Sequence, residues 1–417
     1  MIIQRDRYLT KLVNHKNNGM VKIITGLRRS GKSFLLFNLF LNHLLSTGTD
    51  RKHIISIALD DRINKEYRDP DTLYAFIRNS ISDNQMHYLL LDEVQLVKEF
   101  EDVLNSCLHI PNLDVFATGS NAKFLSKDII TEFRGRGDQI YVHPLSFQEF
   151  HSAFGSTPEK AYQSYSAYGG LPKLFEFSTD EDKETYLKSI FAETYMKDIR
   201  ERNDLRNDAE MEELLDVLAS DIGSLTNPLK IARTFKSLKN KEMHPGTIKK
   251  YLDYLSDSFL VEQAKRYDVK GKRYINTPSK YYFTDVGLRN ARLNFRQTEG
   301  PHLMENILYN ELRILGFNVD VGVVEVYAPN TAGKSIKKQT EVDFVCNQAD
   351  KRYYIQSAFS LFDEEKLHQE EYPLKHIEDS FKKIIITKEP CRTHYTENGI
   401  LIINLLDFLL DPELMRT

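Results

Sequence analysis

A chain of 417 residues exceeds the usual size of one hydrophobic core, so about two to four domains are expected. With 41% hydrophobic and 28% charged residues and a net charge of −4, the composition is typical of a soluble globular protein, and overall charge is excluded as a means of binding nucleic acid. Three widely spaced cysteines, Cys107, Cys346 and Cys391, argue against a disulfide framework and a structural zinc site. No apolar stretch approaches the roughly 18 residues that span a membrane, and the N-terminus lacks a signal core, which predicts a cytoplasmic protein without a membrane partner.

Short apolar runs alternate with helical patterns through the first third of the chain. Helices are predicted at about 32–45, 71–80 and 98–108. The predicted strands cover Val21–Thr25, 53–59, 88–91, Leu113–Thr118 and 139–143. Buried strands that alternate with helices predict a doubly wound α/β sheet over residues 1–145.

The pattern changes after residue 145. Residues 146–215 are helical and are interpreted as a lid domain. Residues 216–298 read as a helix at 227–239, a turn with Pro245 and Gly246, a helix at 247–259 and two strands around Gly271, which is the order of a winged helix. Residues 299–417 alternate again, with helices predicted at 302–315 and 374–380 and strands at 319–327, 341–346, 353–357, 383–387 and 399–404.

A phosphate-binding motif follows the first predicted strand and opens the first long helix. Glycines in such a loop let backbone N–H groups surround phosphate oxygens, and the helix N-terminus adds a favourable dipole. Its lysine is expected to contact the β- and γ-phosphates of ATP, and its serine to ligate Mg²⁺. The motif consists of Gly26, Leu27, Arg28, Arg29, Ser30, Gly31, Lys32 and Ser33.

Two carboxylates end the third predicted strand. Asp92 is expected to hold Mg²⁺ and Glu93 to polarise the attacking water. A polar residue after the fourth strand, Ser120 or Asn121, is a candidate for contact with the γ-phosphate or that water; the alternative is a simple turn. Adenine is preferred by default, because no guanine-specific motif follows in this domain.

Two arginines precede the fifth predicted strand. Arg134 or Arg136 could act as an arginine finger on the ATP of a neighbouring subunit, which presumes an oligomer. The alternative is a solvated turn.

Together these motifs resemble a large prokaryotic family of AAA-type ATPases, often grouped with the archaeal ATPases, that carry a C-terminal domain of unknown function. The matching segments are GLRRSGKS, LLLDEVQ, ATGSNA, FRGRGDQIYVHPLSFQEF, YGGLP and EVDFV followed by YYIQ. The resemblance covers almost the whole chain. It implies an AAA ATPase core, a helical lid, a winged helix and a C-terminal α/β fold like that of a restriction endonuclease.

Basic residues are concentrated in the predicted winged helix. Residues 229–280 contain 13 Lys and Arg but 5 Asp and Glu, a net charge of +8. Clustered cations are what phosphate contacts require, so DNA is the expected partner, while contact with a protein remains the alternative. The candidate DNA-binding residues on the second helix and wing are Lys249, Lys250, Lys270, Lys272 and Arg273.

The last domain orders its acidic residues as a PD-(D/E)xK nuclease does. Glu305 lies on a predicted helix, Asp343 on a strand, and Gln356 on the next strand where a glutamate is needed. Glutamine is a weaker metal ligand, and Ala358 cannot replace the lysine that orients the nucleophile. A degenerate nuclease site is therefore predicted.

Three hypotheses follow. The first is a Mg²⁺-dependent ATPase that acts as a nucleotide-driven switch and binds DNA. The alternatives are an ATP-gated nuclease and an ATP-dependent scaffold that binds a protein partner.

Overall fold

The computed structural model describes residues 2–119, 133, 135–196, 199–200, 203, 208–239, 242–296, 299–329 and 335–416. The chain divides into two compact units. The first comprises Met1–Pro144, Leu171–Lys173 and Asp257–Phe259, and the second comprises Leu145–Gly170, Leu174–Ser256 and Leu260–Thr417. The four sequence-derived domain boundaries stay predictions. In the described part of the chain, no helix combines the length and apolarity needed to cross a bilayer.

The first unit is built on a parallel sheet of five strands. The strands lie in the order β2-β3-β4-β1-β5, so β1 is flanked by strands from later in the chain. Because all strands run in one direction, their carboxyl ends meet at one edge, where ligands of open α/β sheets bind. The strands are β1 (Val21–Thr25), β2 (Ile54–Ala58), β3 (His87–Asp92), β4 (Leu113–Thr118) and β5 (Gly137–Tyr141).

Helices cover both faces of this sheet. Alternate residues of each strand point to opposite faces: Ile23 packs with one helical layer and Ile24 with the other. This arrangement confirms the predicted α/β fold with a parallel sheet. The helices are α1 (Asp6–Asn14), α2 (residues 32–46, with a π-helical segment over Leu35–Phe40), α3 (Pro70–Ser80) and α4 (Phe100–Cys107).

The second unit combines helices with a mixed sheet. Its helices are α5 (Phe147–Phe154), α6 (Pro158–Tyr168), α7 (Asp180–Ser189), α8 (Asp208–Ser220), α9 (Pro228–Lys239), α10 (Pro245–Asp257), α11 (Val286–Arg292), α12 (Gly300–Ile314), α13 (Glu364–Lys375) and α14 (Leu405–Leu410). The strands are β6 (Val261–Asp268), β7 (Arg273–Phe283), β8 (Asn318–Pro329), β9 (Ser335–Gln348), β10 (Lys351–Ala358), β11 (Lys382–Thr387), β12 (His394–Tyr395) and β13 (Leu401–Asn404).

The eight strands form one sheet in the order β12-β13-β11-β10-β9-β8-β6-β7. The antiparallel hairpin β6–β7 therefore lies at an edge of this sheet, where β6 pairs in parallel with β8. An isolated bridge also joins Thr226, which precedes α9, to Ser279 of β7.

The helix predicted at 374–380 is wrong in position. The structure places α13 at Glu364–Lys375, with Pro373 inside it. Asp363 caps this helix by accepting a 2.6 Å hydrogen bond from the Lys366 N–H. Pro373 has no N–H to donate, so the last turn of α13 lacks one hydrogen bond of the helix.

Candidate nucleotide site and a buried carboxylate cluster

The loop between β1 and α2 has a backbone that requires glycine at two positions. Gly26 has φ of 132°, and a Cβ there would lie 2.2 Å from the carbonyl oxygen of Val142. Gly31 has φ of 97° and precedes the first turn of α2. Glycine adopts such positive φ values at little cost, so the loop can turn tightly into the N-terminus of the helix, which is where phosphates bind in loops of this kind.

Two buried polar groups suit this loop to an anion. The Lys32 ammonium lies over the loop and donates to the carbonyl oxygens of Gly26 at 3.0 Å and Leu27 at 2.9 Å. The hydroxyl of Ser30 is buried without a hydrogen-bond partner among the described residues. A lysine held beside the helix N-terminus fits the phosphates of a nucleotide.

A buried arginine that the motif analysis did not identify braces the loop. Arg5 donates to the Ser30 carbonyl at 2.9 Å and to the His143 carbonyl, just beyond β5, at 2.8 Å. It also lies over the ring of Tyr8, 4.6 Å from the centroid. Arg5 thus ties the phosphate loop to the segment after β5 and to α1.

Asp92 lies at the carboxyl end of β3, between two hydroxyls. It accepts a hydrogen bond from Ser33 at 3.0 Å and another from Thr118, the last residue of β4. Burial raises the pKa of Asp92, while the bonds from Thr118 and Ser33 act to lower it. The serine of the phosphate loop and the aspartate at the end of β3 are therefore in contact, as a Mg²⁺ site for a bound nucleotide would require.

Glu93 follows Asp92 in a left-handed conformation, with φ of 54°. Its N–H donates to the Thr118 hydroxyl at 3.1 Å, and its carboxylate accepts from the Gln95 amide. Thr118 thus connects both acidic residues, a contact that the sequence analysis missed because it considered only the residues after Thr118.

Of the arginine-finger candidates and the polar residues predicted after β4, the structure describes Arg136 alone. Ser120, Asn121 and Arg134 lie outside the described residues. Arg136 is exposed, and its carbonyl accepts from the Val21 N–H at the amino end of β1. The phosphate loop is at the other end of β1, so Arg136 cannot serve the site of its own chain. Within the loop itself, Arg28 is half-buried and Arg29 is exposed.

In the second unit, Glu305 and Asp343 are brought together around a lysine. The ammonium of Lys280, on β7, lies 2.8 Å from Glu305, 2.7 Å from Glu341 and 3.7 Å from Asp343. The hydroxyl of Tyr282 donates to Glu305 at 2.6 Å. Sequence reasoning missed Lys280 because this residue was counted only among the basic residues of the predicted winged helix. A lysine within the strand-like run that ends at Tyr282 and Phe283 is the pattern that could have indicated a buried cation.

Gln356 has a different role from that of a metal ligand. Its side-chain oxygen accepts from the Asp343 N–H at 2.8 Å, and its amide donates to Glu370 at 3.1 Å. The amide group therefore joins β10 to β9 and α13.

The electrostatics of Lys280 and Glu305 reflect their mutual contact and burial. Burial acts to lower the pKa of Lys280, but the carboxylates of Glu305, Asp343 and Glu341 outweigh it and raise this pKa, so the ammonium stays charged. Burial raises the pKa of Glu305 to about 7; Asp343 adds to the rise, and Lys280 opposes it.

A third cluster, in the first unit, consists of His53, Asp83 and His87, whose possible ligand atoms lie within 4.8 Å of one another. Each already has a protein partner. Asp83 bonds to His53 at 2.9 Å and to Lys52 at 3.3 Å, and His87 accepts from the Ser82 N–H at 3.3 Å. The lysine beside the carboxylate supplies the positive charge that a metal ion would otherwise bring.

The five candidate DNA-binding residues lie on the surface. Arg273 makes a 3.4 Å contact with Asp268, and Lys250 lies 5.6 Å from the ring centroid of Tyr254. All five are exposed: Lys249, Lys250, Lys270, Lys272 and Arg273.

Comparisons with known proteins give one domain match over the nucleotide site and full-length relatives without an assigned activity. An AAA domain model matches residues 18–151, and a model described as a domain of unknown function (DUF8612) matches residues 159–299. An uncharacterized protein of Haemophilus influenzae is 32% identical over 418 residues, covering 98% of this chain and 99% of the relative. An uncharacterized protein of Methanocaldococcus jannaschii is 28% identical over 360 residues, 82% of this chain and 75% of the relative.

Solved structures give weaker likenesses. The Aeropyrum pernix ORC2 protein in its ADPNP–ADP complexes matches with a TM-score of 0.41 and 12% identity, over 73% of this chain and 92% of that one. The Aeropyrum pernix ORC1 protein in complex with DNA matches with a TM-score of 0.32 and 11% identity, over 70% and 93%. TM-scores this low support no inference about this chain.

The phosphate loop and the strand-end carboxylates lie within the part of the chain that matches the AAA domain, residues 18–151, which agrees with the nucleotide-binding domain predicted from the sequence. The chain as a whole belongs to one family with the Haemophilus influenzae protein.

Proposed function

We propose that this protein is a Mg²⁺-dependent ATP hydrolase that works as a nucleotide-driven switch and binds DNA through a winged helix. The observation that carries the enzymatic part is the meeting of Ser33, Asp92 and Thr118 beside the phosphate loop. When bound, Mg²⁺ would supply charge neutralisation for the phosphates.

Different residues of the site bind the phosphates, bind the metal ion and activate the attacking water. Lys32 binds the β- and γ-phosphates, and the loop backbone from Gly26 to Gly31 surrounds them. Ser33 and Asp92 would hold the metal ion. Glu93 accepts a proton from the attacking water, and Gln95 orients its carboxylate through the hydrogen bond between the two side chains.

The DNA-binding part rests on topology and charge. Helices α9 and α10 are followed by the hairpin β6–β7, and one isolated bridge joins Thr226, before α9, to Ser279 of β7. This is the order of a winged helix, in which the second helix enters a major groove. Lys249 and Lys250 are exposed on that helix, and Lys270 and Lys272 at the hairpin turn. A protein partner for the same surface is the competing proposal.

The test is the steady-state ATPase rate with and without double-stranded DNA, at low and high salt. Glu93→Gln should bind ATP but lose turnover, by about 10²-fold or more, because general-base assistance contributes that much. DNA should stimulate the wild type, and the stimulation should fade with salt because phosphate contacts release counterions.

A matched pair of variants separates the two parts. Lys249→Ala with Lys250→Ala should abolish stimulation and leave the basal rate, whereas Lys160→Ala, at an exposed lysine of α6, should change neither. Turnover by Glu93→Gln at the wild-type rate would refute the assigned base. A rate indifferent to DNA would refute DNA coupling and favour a protein partner.

A further inference from the structure

The carboxylate cluster of the second unit, Glu305, Glu341 and Asp343, contains its own cation. The ammonium of Lys280 lies within 3.7 Å of an oxygen of each carboxylate, and only 5% of the Lys280 side chain is exposed. Two of the three distances, 2.7 and 2.8 Å, are those of charge-assisted hydrogen bonds. Three carboxylates around one central cation is the arrangement of a metal site, but here the cation is the ammonium of Lys280.

The lysine is fixed at this position. Lys280 lies within β7, its backbone pairs with Ala264 of β6, and the preceding Ser279 is bridged to Thr226, so the strand is held on both sides of the point from which the side chain emerges. A buried ammonium that left the carboxylates would lose its compensation, which is strongly unfavourable. Lys280 therefore has no alternative position at low cost.

The carboxylates also have other donors. Glu305 accepts from the Tyr282 hydroxyl at 2.6 Å, and Asp343 accepts from the Ser357 N–H at 2.9 Å. These bonds disperse the negative charge that one lysine leaves uncompensated. A Mg²⁺ ion would need oxygens at about 2.0–2.1 Å in near-octahedral geometry, and the carboxylate oxygens of this cluster already accept hydrogen bonds from Lys280, Tyr282 and the Ser357 N–H.

We propose that Lys280 permanently takes the place of a divalent metal ion among Glu305, Glu341 and Asp343, so that this cluster does not bind Mg²⁺ and the second unit does not hydrolyse nucleic acid there. The residues do not fit the metal centre that a nuclease-like domain implies, because the Lys280 ammonium lies between the carboxylates, where the ion would be, and Gln356 bonds to the Asp343 N–H and to Glu370. The cluster instead joins β7, α12 and β9 through one internal cation, and it leaves the second unit as a binding or structural element.

The experiment measures Mn²⁺ binding to the full-length protein without nucleotide, by electron paramagnetic resonance. Wild type and Asp343→Asn should bind equally little Mn²⁺. Lys280→Met, which removes the ammonium but keeps an unbranched side chain, should gain one site and bind Mn²⁺ at least about tenfold more tightly, because affinity follows the count of uncompensated ligand charges.

Melting temperatures give a second readout. Lys280→Met should melt below the wild type and be restored by Mn²⁺ in a saturable manner. The double variant with Asp343→Asn should not be restored.

Two results would overturn the proposal. One is stoichiometric Mn²⁺ binding by the wild type that Asp343→Asn abolishes, above all with Mn²⁺-dependent cleavage of plasmid DNA lost in the same variant. The other is a folded Lys280→Met protein that gains no site. If Lys280→Met does not fold, the comparison of wild type with Asp343→Asn still decides the matter, and neither of these depends on ATP hydrolysis.

Discussion

Replacing Gly26 by alanine tests whether the shape of the phosphate loop is set by its approach to Val142. The added Cβ would lie 2.2 Å from the Val142 carbonyl oxygen, about 1 Å inside an ordinary contact, at a φ of 132°. The strained φ alone costs roughly 1–3 kcal/mol, and the clash adds to it because the partner is backbone. The loop must then move and displace the carbonyl to which Lys32 donates.

The matched control is Gly48→Ala. Gly48 also has a positive φ, 93°, but no atom lies within 4 Å of its Cβ position. This control should show a loss of about 1 kcal/mol in the free energy of unfolding and bind nucleotide normally. Gly26→Ala should lose about 3 kcal/mol and bind a fluorescent ATP analogue at least about tenfold more weakly. The reasoning is refuted if the two variants bind the analogue with affinities within twofold of each other.

Two further predictions concern buried carboxylates. Thr118→Val removes the hydroxyl that bonds Asp92 and Glu93, at a cost of about 1–3 kcal/mol, so the Mg²⁺ concentration for half-maximal ATPase should rise by about tenfold. An unchanged Mg²⁺ titration would contradict this role. Asp285 is buried, bonds to the Gly170 N–H at 2.7 Å, and burial raises its pKa from 3.8 to about 6. Because the folded state then binds the proton more tightly, Asp285 should reduce stability as pH rises from about 4 to 6, by about 3 kcal/mol. Urea denaturation of wild type and Asp285→Asn should show this difference in slope between about pH 4 and 6 and parallel curves above pH 6, and parallel curves throughout would reject it.

The first unit was predictable because its signals are local in the sequence. Val21–Thr25 and Leu113–Thr118 are strands over the predicted residues, since short apolar runs between turn residues suit buried parallel strands. The phosphate loop combines fixed glycines with a lysine and serine within one turn of helix, so its residues meet wherever the loop folds. Asp92 is the last residue of β3, so predicting that strand also placed this carboxylate at the edge of the sheet where the phosphate loop lies.

Other features depended on pairings between distant segments. Arg5 reaches Ser30 and His143, which are 25 and 138 residues away in the chain, and no periodicity encodes such contacts. The edge position of β6–β7 depends on the pairing of β6 with β8, which follows about 50 residues later. The motif around Arg136 suggested a finger on the ATP of a neighbouring subunit, which stays a prediction; the register of β5 with β1 adds that Arg136 lies at the edge of the sheet away from its own phosphate loop.

The sequence by itself determined the class of the first unit, because the chemistry of phosphate binding requires particular residues at short, fixed spacing. It also placed Glu305 and Asp343 correctly on a helix and a strand. Only the tertiary structure decided what those carboxylates surround. Lys280 precedes Glu305 by 25 residues and Asp343 by 63, and its ammonium reaches them because β7, α12 and β9 pack together, so a pattern read along the chain could not distinguish a metal site from an internal ion cluster.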